Sequence, residues 1–156
     1  MPPKIKIEGK TSNFKQKDKN AVVEKSSQFF LTINTNQPYK PNDAHIEADT
    51  EIFTDVIKDF LANLKDHLKL SAGDTYDDNI NDIGCQYVIE LGTKKLCLHS
   101  HIFLKFRHSC KDLKLNYTSI KTKIASDLGL QKIFFNCRMV SDNDTNVLNY
   151  IEKYVK

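Results

Sequence analysis

Two histidines stand one residue apart in the run CLHSHIFLKF, residues 97–106. A strand that only filled a core has no use for paired imidazoles, so His99 and His101 are candidate ligands. Side chains alternate between the faces of a strand. One face of 96–106 carries Leu96, Leu98, Ser100, Ile102, Leu104 and Phe106, apolar except for the serine. The other carries Cys97, His99, His101, Phe103 and Lys105, with Arg107 beyond, and is expected to be open. Same-face neighbours stand about 7 Å apart at Cα, so both imidazoles can reach one metal ion.

The run before it, CQYVIELG (85–92), reads as the first strand of a hairpin closed by TKK. Tyr87, Ile89 and Leu91 share one face; Gln86, Val88 and Glu90 share the other. A two-residue turn at Thr93-Lys94 or at Lys94-Lys95 sets Glu90 opposite Cys97 or His99. Either register puts the carboxylate on the histidine face. Two imidazoles and one carboxylate suit a transition metal or another divalent ion with open positions. A single carboxylate makes calcium a poor match.

Near the end, NYIEKYVK holds Tyr150 and Lys153, three residues apart and so on one face of a helix. A phenol with a pKa of about 10 is a weak nucleophile at neutral pH. It needs a metal-polarised electrophile or a nearby cation, and this chain offers both. Lys105 and Arg107 are the first candidates for phosphate contact, followed by Lys94, Lys95, Lys132 and Arg138. His45 falls in a loop, His67 on a helix flank expected to be exposed, and His108 at the hairpin end within reach of phosphate. The run SDND (141–144) lacks the glycine and glutamate of a calcium loop and reads as a helix cap.

These residues must be positioned by surrounding elements. SQFFLTINTN (27–36) reads as a strand, rich in aromatic and β-branched residues. In 49–70, Ile52, Phe53, Val56, Ile57, Phe60, Leu61, Leu64 and Leu68 recur at helical spacing, with Asp49 or Thr50 as cap and Gly73 beyond the end. An acidic loop (71–84) leads to the hairpin. A second helix over 117–130 stops at Gly129, a strand covers 131–140, and a third helix covers 141–156. The order β-α-β-β-α-β-α predicts an α+β fold of ferredoxin/RRM-like layout. It has a central antiparallel sheet, helices packed mainly on one face, and the other face free for a ligand.

At 156 residues the chain fits one domain, expected over 27–156. Residues 1–26 are lysine-rich and poor in large apolar side chains, and are expected to form a flexible basic arm. The formal net charge of +3 permits a nucleic-acid partner without requiring one. Cys85, Cys97, Cys110 and Cys137 form no C-x-x-C pair, so free thiols in a reducing compartment are expected. No apolar run is long enough to span a bilayer and no signal segment opens the chain, so a cytoplasmic or nuclear location is expected and no membrane partner.

Taken together, HSH on a strand, Glu90 upstream, YIEK near the end and FFLTIN near the start resemble the HUH endonucleases. More narrowly they resemble the initiators of rolling-circle replication in small circular single-stranded DNA viruses and plasmids. The resemblance runs from about residue 28 to the end. The FLTIN run (30–34) corresponds loosely to the first family motif and makes Thr32 and Asn34 candidate DNA contacts. His99-Ser100-His101 corresponds to the histidine–hydrophobe–histidine motif, with serine in place of the hydrophobe. Tyr150-Ile151-Glu152-Lys153 corresponds to Y-x-x-K.

The resemblance implies a metal-dependent, sequence-specific nicking and joining of single-stranded DNA at a replication origin, possibly presented on a stem-loop. It implies Mg²⁺ or Mn²⁺ on Glu90, His99 and His101, and a 5′-phosphotyrosine intermediate on Tyr150 assisted by Lys153. Tyr154, one turn further on, is the alternative nucleophile. Relatives often carry a helicase domain after this point. The rival reading is a non-catalytic, RRM-like single-strand binder that stacks bases on Phe30, Phe103 and Tyr87.

Overall fold

The computed structural model describes residues 6–14, as backbone, and 24–140. Its centre is a five-stranded antiparallel sheet of order β1-β4-β5-β2-β7, formed by β1 (Lys6–Phe14), β4 (Ile80–Leu91), β5 (Leu98–His108), β2 (Lys25–Asn34) and β7 (Phe134–Val140). α1 (Ile46–Ala62) connects β2 to the hairpin side, and α3 (Tyr117–Asp127) connects β5 to β7. This is the expected α+β arrangement: β2, β4, β5 and β7 alternate with two helices in the split βαβ order. The small strands β3 (Leu68–Leu70) and β6 (Leu113–Leu115) pair separately.

The alternation in the strands decides which face meets the helices. Phe29, Leu31 and Ile33 of β2 join Leu98, Ile102, Leu104 and Phe106 of β5 in one buried cluster. Ile83, Cys85, Tyr87, Ile89 and Leu91 of β4 extend that cluster across the sheet. α1 closes it with Phe53, Ile57 and Phe60, and α3 with Ile120 and Ile124. Phe29 and Phe106 meet edge to face at 5.8 Å between ring centroids, a favoured aromatic geometry. Tyr87 is thus a core residue, which removes it from any stacking platform on the opposite face.

Three elements differ from expectation. Lys6–Phe14, within the expected flexible arm, pairs with β4 from Lys6↔Glu90 to Phe14↔Asp82. Composition speaks to side-chain burial, whereas this strand answers a backbone need, since β4 would otherwise present a row of unpaired amides and carbonyls. The domain therefore begins before residue 27. The long helix expected over 49–70 starts at Ile46 and ends at Ala62; a 3-10 turn (Leu64–His67) and β3 follow. Leu64 and Leu68 keep helical spacing, but LKL at 68–70 finds a matching LKL at 113–115, and the ladder wins. The acidic loop at 71–84 contains a one-turn helix, α2 (Tyr76–Asn79), capped by the Thr75 side chain, and β4 already begins at Ile80.

Gly129 behaves as expected. It follows α3 at φ +68°, while Leu130 N–H reaches back to the Ala125 carbonyl at 2.9 Å, the left-handed helix stop that glycine favours. The expected helix over 141–156 lies outside the described residues.

Candidate metal centre

β4 and β5 are joined by a six-residue loop, wider than the two-residue turn expected, yet centred on the same Lys94-Lys95 axis. Glu90 consequently pairs with His99, and Val88 with His101. Gly92 makes this loop possible: a Cβ there would collide with the Lys95 carbonyl oxygen. Ser100, the residue that departs from the family pattern, points to the core face. It is fully buried and donates its hydroxyl hydrogen to the Val88 carbonyl at 2.9 Å, so it leaves the histidine face untouched.

On that face the three donors converge. His99 Nε2 lies 3.6 Å and His101 Nε2 3.9 Å from Glu90 Oε1. The donor atoms of all three residues fall within 4.8 Å of one another, and the group can hold a metal ion. A cation bound at 2.0–2.2 Å sets tetrahedral donors about 3.4 Å apart, so the site needs only a small contraction to close on an ion. The rings meet edge to face at 5.2 Å, which leaves both Nε2 atoms aimed at the carboxylate rather than at each other.

The outer nitrogens are held as a metal site requires. His99 Nδ1 lies 3.3 Å from the Cys97 carbonyl, which can only accept, so Nδ1 carries the hydrogen and Nε2 the lone pair. His101 Nδ1 lies 3.2 Å from Thr32 Oγ1, its cross-strand neighbour. Phe30 stacks on the His101 ring at 5.7 Å with an interplanar angle of 14°. Burial, with a smaller contribution from the neighbouring His99 ring, pushes the His101 pKa down to about 4. The ring is therefore neutral, the form that binds metal, across the physiological range. Replacing Thr32 by valine is expected to weaken Mn²⁺ binding by about tenfold without changing the urea midpoint in EDTA. Unchanged affinity in calorimetry would remove Thr32 from the site.

The remaining candidates separate. Lys94 and Lys95 are exposed at the hairpin loop, and Lys105 is exposed on the histidine face. Arg138 is exposed with its guanidinium 5.9 Å from the Phe30 ring centre. Asn34 lies in the same row as His99, and its Oδ1 accepts the Asn36 amide. Arg107 already has acidic partners: its Nε lies 2.8 Å from Glu24 Oε1 and its Nη1 3.7 Å from Asp82 Oδ2. Tyr150, Lys153 and Tyr154 lie outside the described residues.

His67 and His108 also differ from expectation. Both are buried, His67 bonded to Ser119 Oγ at 2.6 Å and His108 to Ser27 Oγ at 2.8 Å and the Cys110 amide at 3.0 Å. Helix periodicity placed His67 on a flank; the chain leaves the helix before reaching it. The pKa values of His67, His101 and His108 are all lowered, first by burial. In the unfolded chain these rings take up protons near the ordinary value of 6.5, whereas the fold keeps them neutral to lower pH. The unfolded state then binds more protons, so stability is present above about 6.5 and is lost as pH falls toward 4. The metal-free urea midpoint is expected to drop between pH 7 and pH 5, above the range where carboxylates titrate. A flat profile over that interval would contradict the burial of these rings.

No family model, curated protein or solved structure matches the chain.

Proposed function

We propose that the domain is a metal-dependent endonuclease that nicks and rejoins single-stranded DNA at a replication origin. The convergence of Glu90, His99 and His101 on the face of the sheet opposite the helices carries this reading. Two imidazoles and one carboxylate leave coordination positions for phosphate oxygens and water. Mg²⁺ or Mn²⁺ is the proposed ion, since a hard cation suits a phosphodiester. Bound there, it would polarise the scissile phosphate and offset the charge that develops on its oxygens.

The chain's own residues do the rest. Thr32 and the Cys97 carbonyl orient the imidazoles. Phe30 and Phe103 lie on the same face as the imidazoles and can stack bases beside them. Lys105, Lys94 and Lys95 supply cations around the site. Tyr150 is the proposed nucleophile. Its phenol oxygen bonds to phosphorus, the P–O3′ bond breaks, the phenol proton leaves to water, and the 3′ oxygen takes up a proton. Lys153 holds the phosphate or the phenol. The phosphotyrosine ester retains the bond energy, so reversal joins a 3′-hydroxyl end. Initiation of rolling-circle replication, in the nucleus or cytoplasm of a host, is the biological setting proposed.

The second reading is the non-catalytic single-strand binder, favoured by the Phe30–Arg138 cation–π contact and by Phe103 on the same face. One experiment separates the two. The protein is incubated with a labelled single strand or stem-loop carrying an origin sequence, with Mn²⁺ and then with EDTA. A covalent protein–DNA band that requires Mn²⁺ supports the nuclease. Binding without a band under either condition supports the rival.

A further inference from the structure

A groove of about 800 Å³ lies between α3 and the outer strand β7. It arises from the layer geometry. Among the described residues, α1 and α3 cover the five-stranded sheet, and β7 is an outer strand in the strand order. Ile133, Phe135 and Cys137 of the β7 segment form one wall, while Tyr117, Lys121 and Ala125 of α3 form the other. Tyr117 is about half exposed, and its ring lies 6.0 Å from that of Phe135. Lys121 and Lys132 are the charged members of the lining; among the described residues no carboxylate lines it. Thr118, Thr122 and Asn136 add hydrogen-bonding groups.

We infer that this groove is a second binding site for single-stranded nucleic acid, receiving the nucleotides that flank the scissile phosphate. The inference rests on the single-strand reading given above. Three observations carry it. The groove joins apolar and aromatic surface to positive charge without opposing acids, which suits stacked bases on a phosphate backbone. One row of the ladder reaches from the histidine face to the groove around the edge strand: Asn136 pairs with Thr32, Thr32 pairs with His101, and Asn136 also lines the groove. Two strand spacings separate His101 from Asn136, about 10 Å, which one or two nucleotides can cover. Phe134, about half exposed, lies on β7 in the row of Asn34 and His99, where a base leaving the histidine face can rest.

A strand crossing from His101 over β2 and β7 therefore turns the sheet edge into the groove. The site lengthens the footprint beyond the sheet face. It also gives the protein a hold on one flank that does not depend on the metal.

The test uses fluorescence anisotropy in EDTA with oligothymidylates of about 8 and about 16 nucleotides, lengths that bracket a single-strand site. The wild-type chain is compared with Lys121→Glu/Lys132→Glu and with Tyr117→Ala. The two lysines are exposed, so the charge reversal leaves the fold intact, which circular dichroism checks. The double reversal is expected to weaken the longer oligonucleotide by tenfold or more. It should lower its salt slope by about 1.4, the value for two lost phosphate contacts on a single strand. The shorter strand should lose little. Iodouracil placed on one flank should crosslink to Tyr117. Undiminished affinity for the longer strand, with crosslinks confined to the sheet face, overturns the groove site while leaving the single-strand reading in place. Failure of the wild-type chain to bind either length overturns both.

Discussion

Replacing Glu90 by glutamine is expected to raise the stability of the metal-free fold while destroying its affinity for divalent ions. The residue is 4% exposed, and its carboxylate faces the two imidazole Nε2 atoms at 3.6 and 3.9 Å, beyond hydrogen-bonding distance. Among the described residues only these two imidazoles lie within ion-pair distance of it, and burying a carboxylate so placed carries a desolvation cost. Glutamine keeps the volume and removes the charge. The thermal midpoint in EDTA should rise by about 2–4 °C, corresponding to about 1 kcal/mol in a domain of this size. Mn²⁺ affinity should fall by more than the roughly 10–100-fold typical of outer-shell changes, because an inner ligand is lost. The opposed signs are diagnostic. Lower stability with unchanged metal affinity would make Glu90 a structural partner of the histidines and would remove the metal centre.

Tyr150→Phe is expected to abolish the covalent adduct and all nicking of an origin strand, while DNA affinity stays within about twofold. With Tyr150 as the proposed nucleophile, its loss removes the covalent step, whereas one hydroxyl adds little to binding shared over many phosphates and bases. Gel analysis of labelled DNA, beside anisotropy on the same samples, reads both quantities. Cleavage that persists in Tyr150→Phe and disappears in Tyr154→Phe would transfer the role to Tyr154. Cleavage that survives both changes would end the tyrosine mechanism.

The Glu90, His99 and His101 group, which could hold a metal ion, was readable because strand alternation is a strict period of two. Once residues 96–106 are a strand, His99 and His101 must share a face. Once 85–92 is its hairpin partner, Glu90 joins them in either register considered. The structure chose the register with Glu90 opposite His99, although its loop is wider than a two-residue turn. Ser100 shows the same rule in reverse. Its parity sends it to the core, where a hydrogen bond to the Val88 carbonyl satisfies its hydroxyl. The partners of the outer ring nitrogens were not readable. Thr32 reaches His101 only through the β2–β5 pairing, which joins positions 69 residues apart. Nothing in local sequence states that register.

The acidic partners of Arg107 were missed for the same reason, since Glu24 lies 83 residues away. The groove between α3 and β7 has no sequence signal at all. Among the described residues, it lies where α3 leaves an outer strand partly uncovered.

From the sequence alone came the order of the main elements, the faces of the strands, and the identity of three donors on one hairpin. These depend on periodicity and on pairing between neighbours in the chain, both local. The tertiary structure decided where the domain begins, where α1 ends and which cations remain available to a phosphate. Those outcomes depend on which distant backbone completes a ladder and which distant carboxylate reaches a guanidinium. Such contacts follow from the packing of the whole chain, and no short window of residues encodes them.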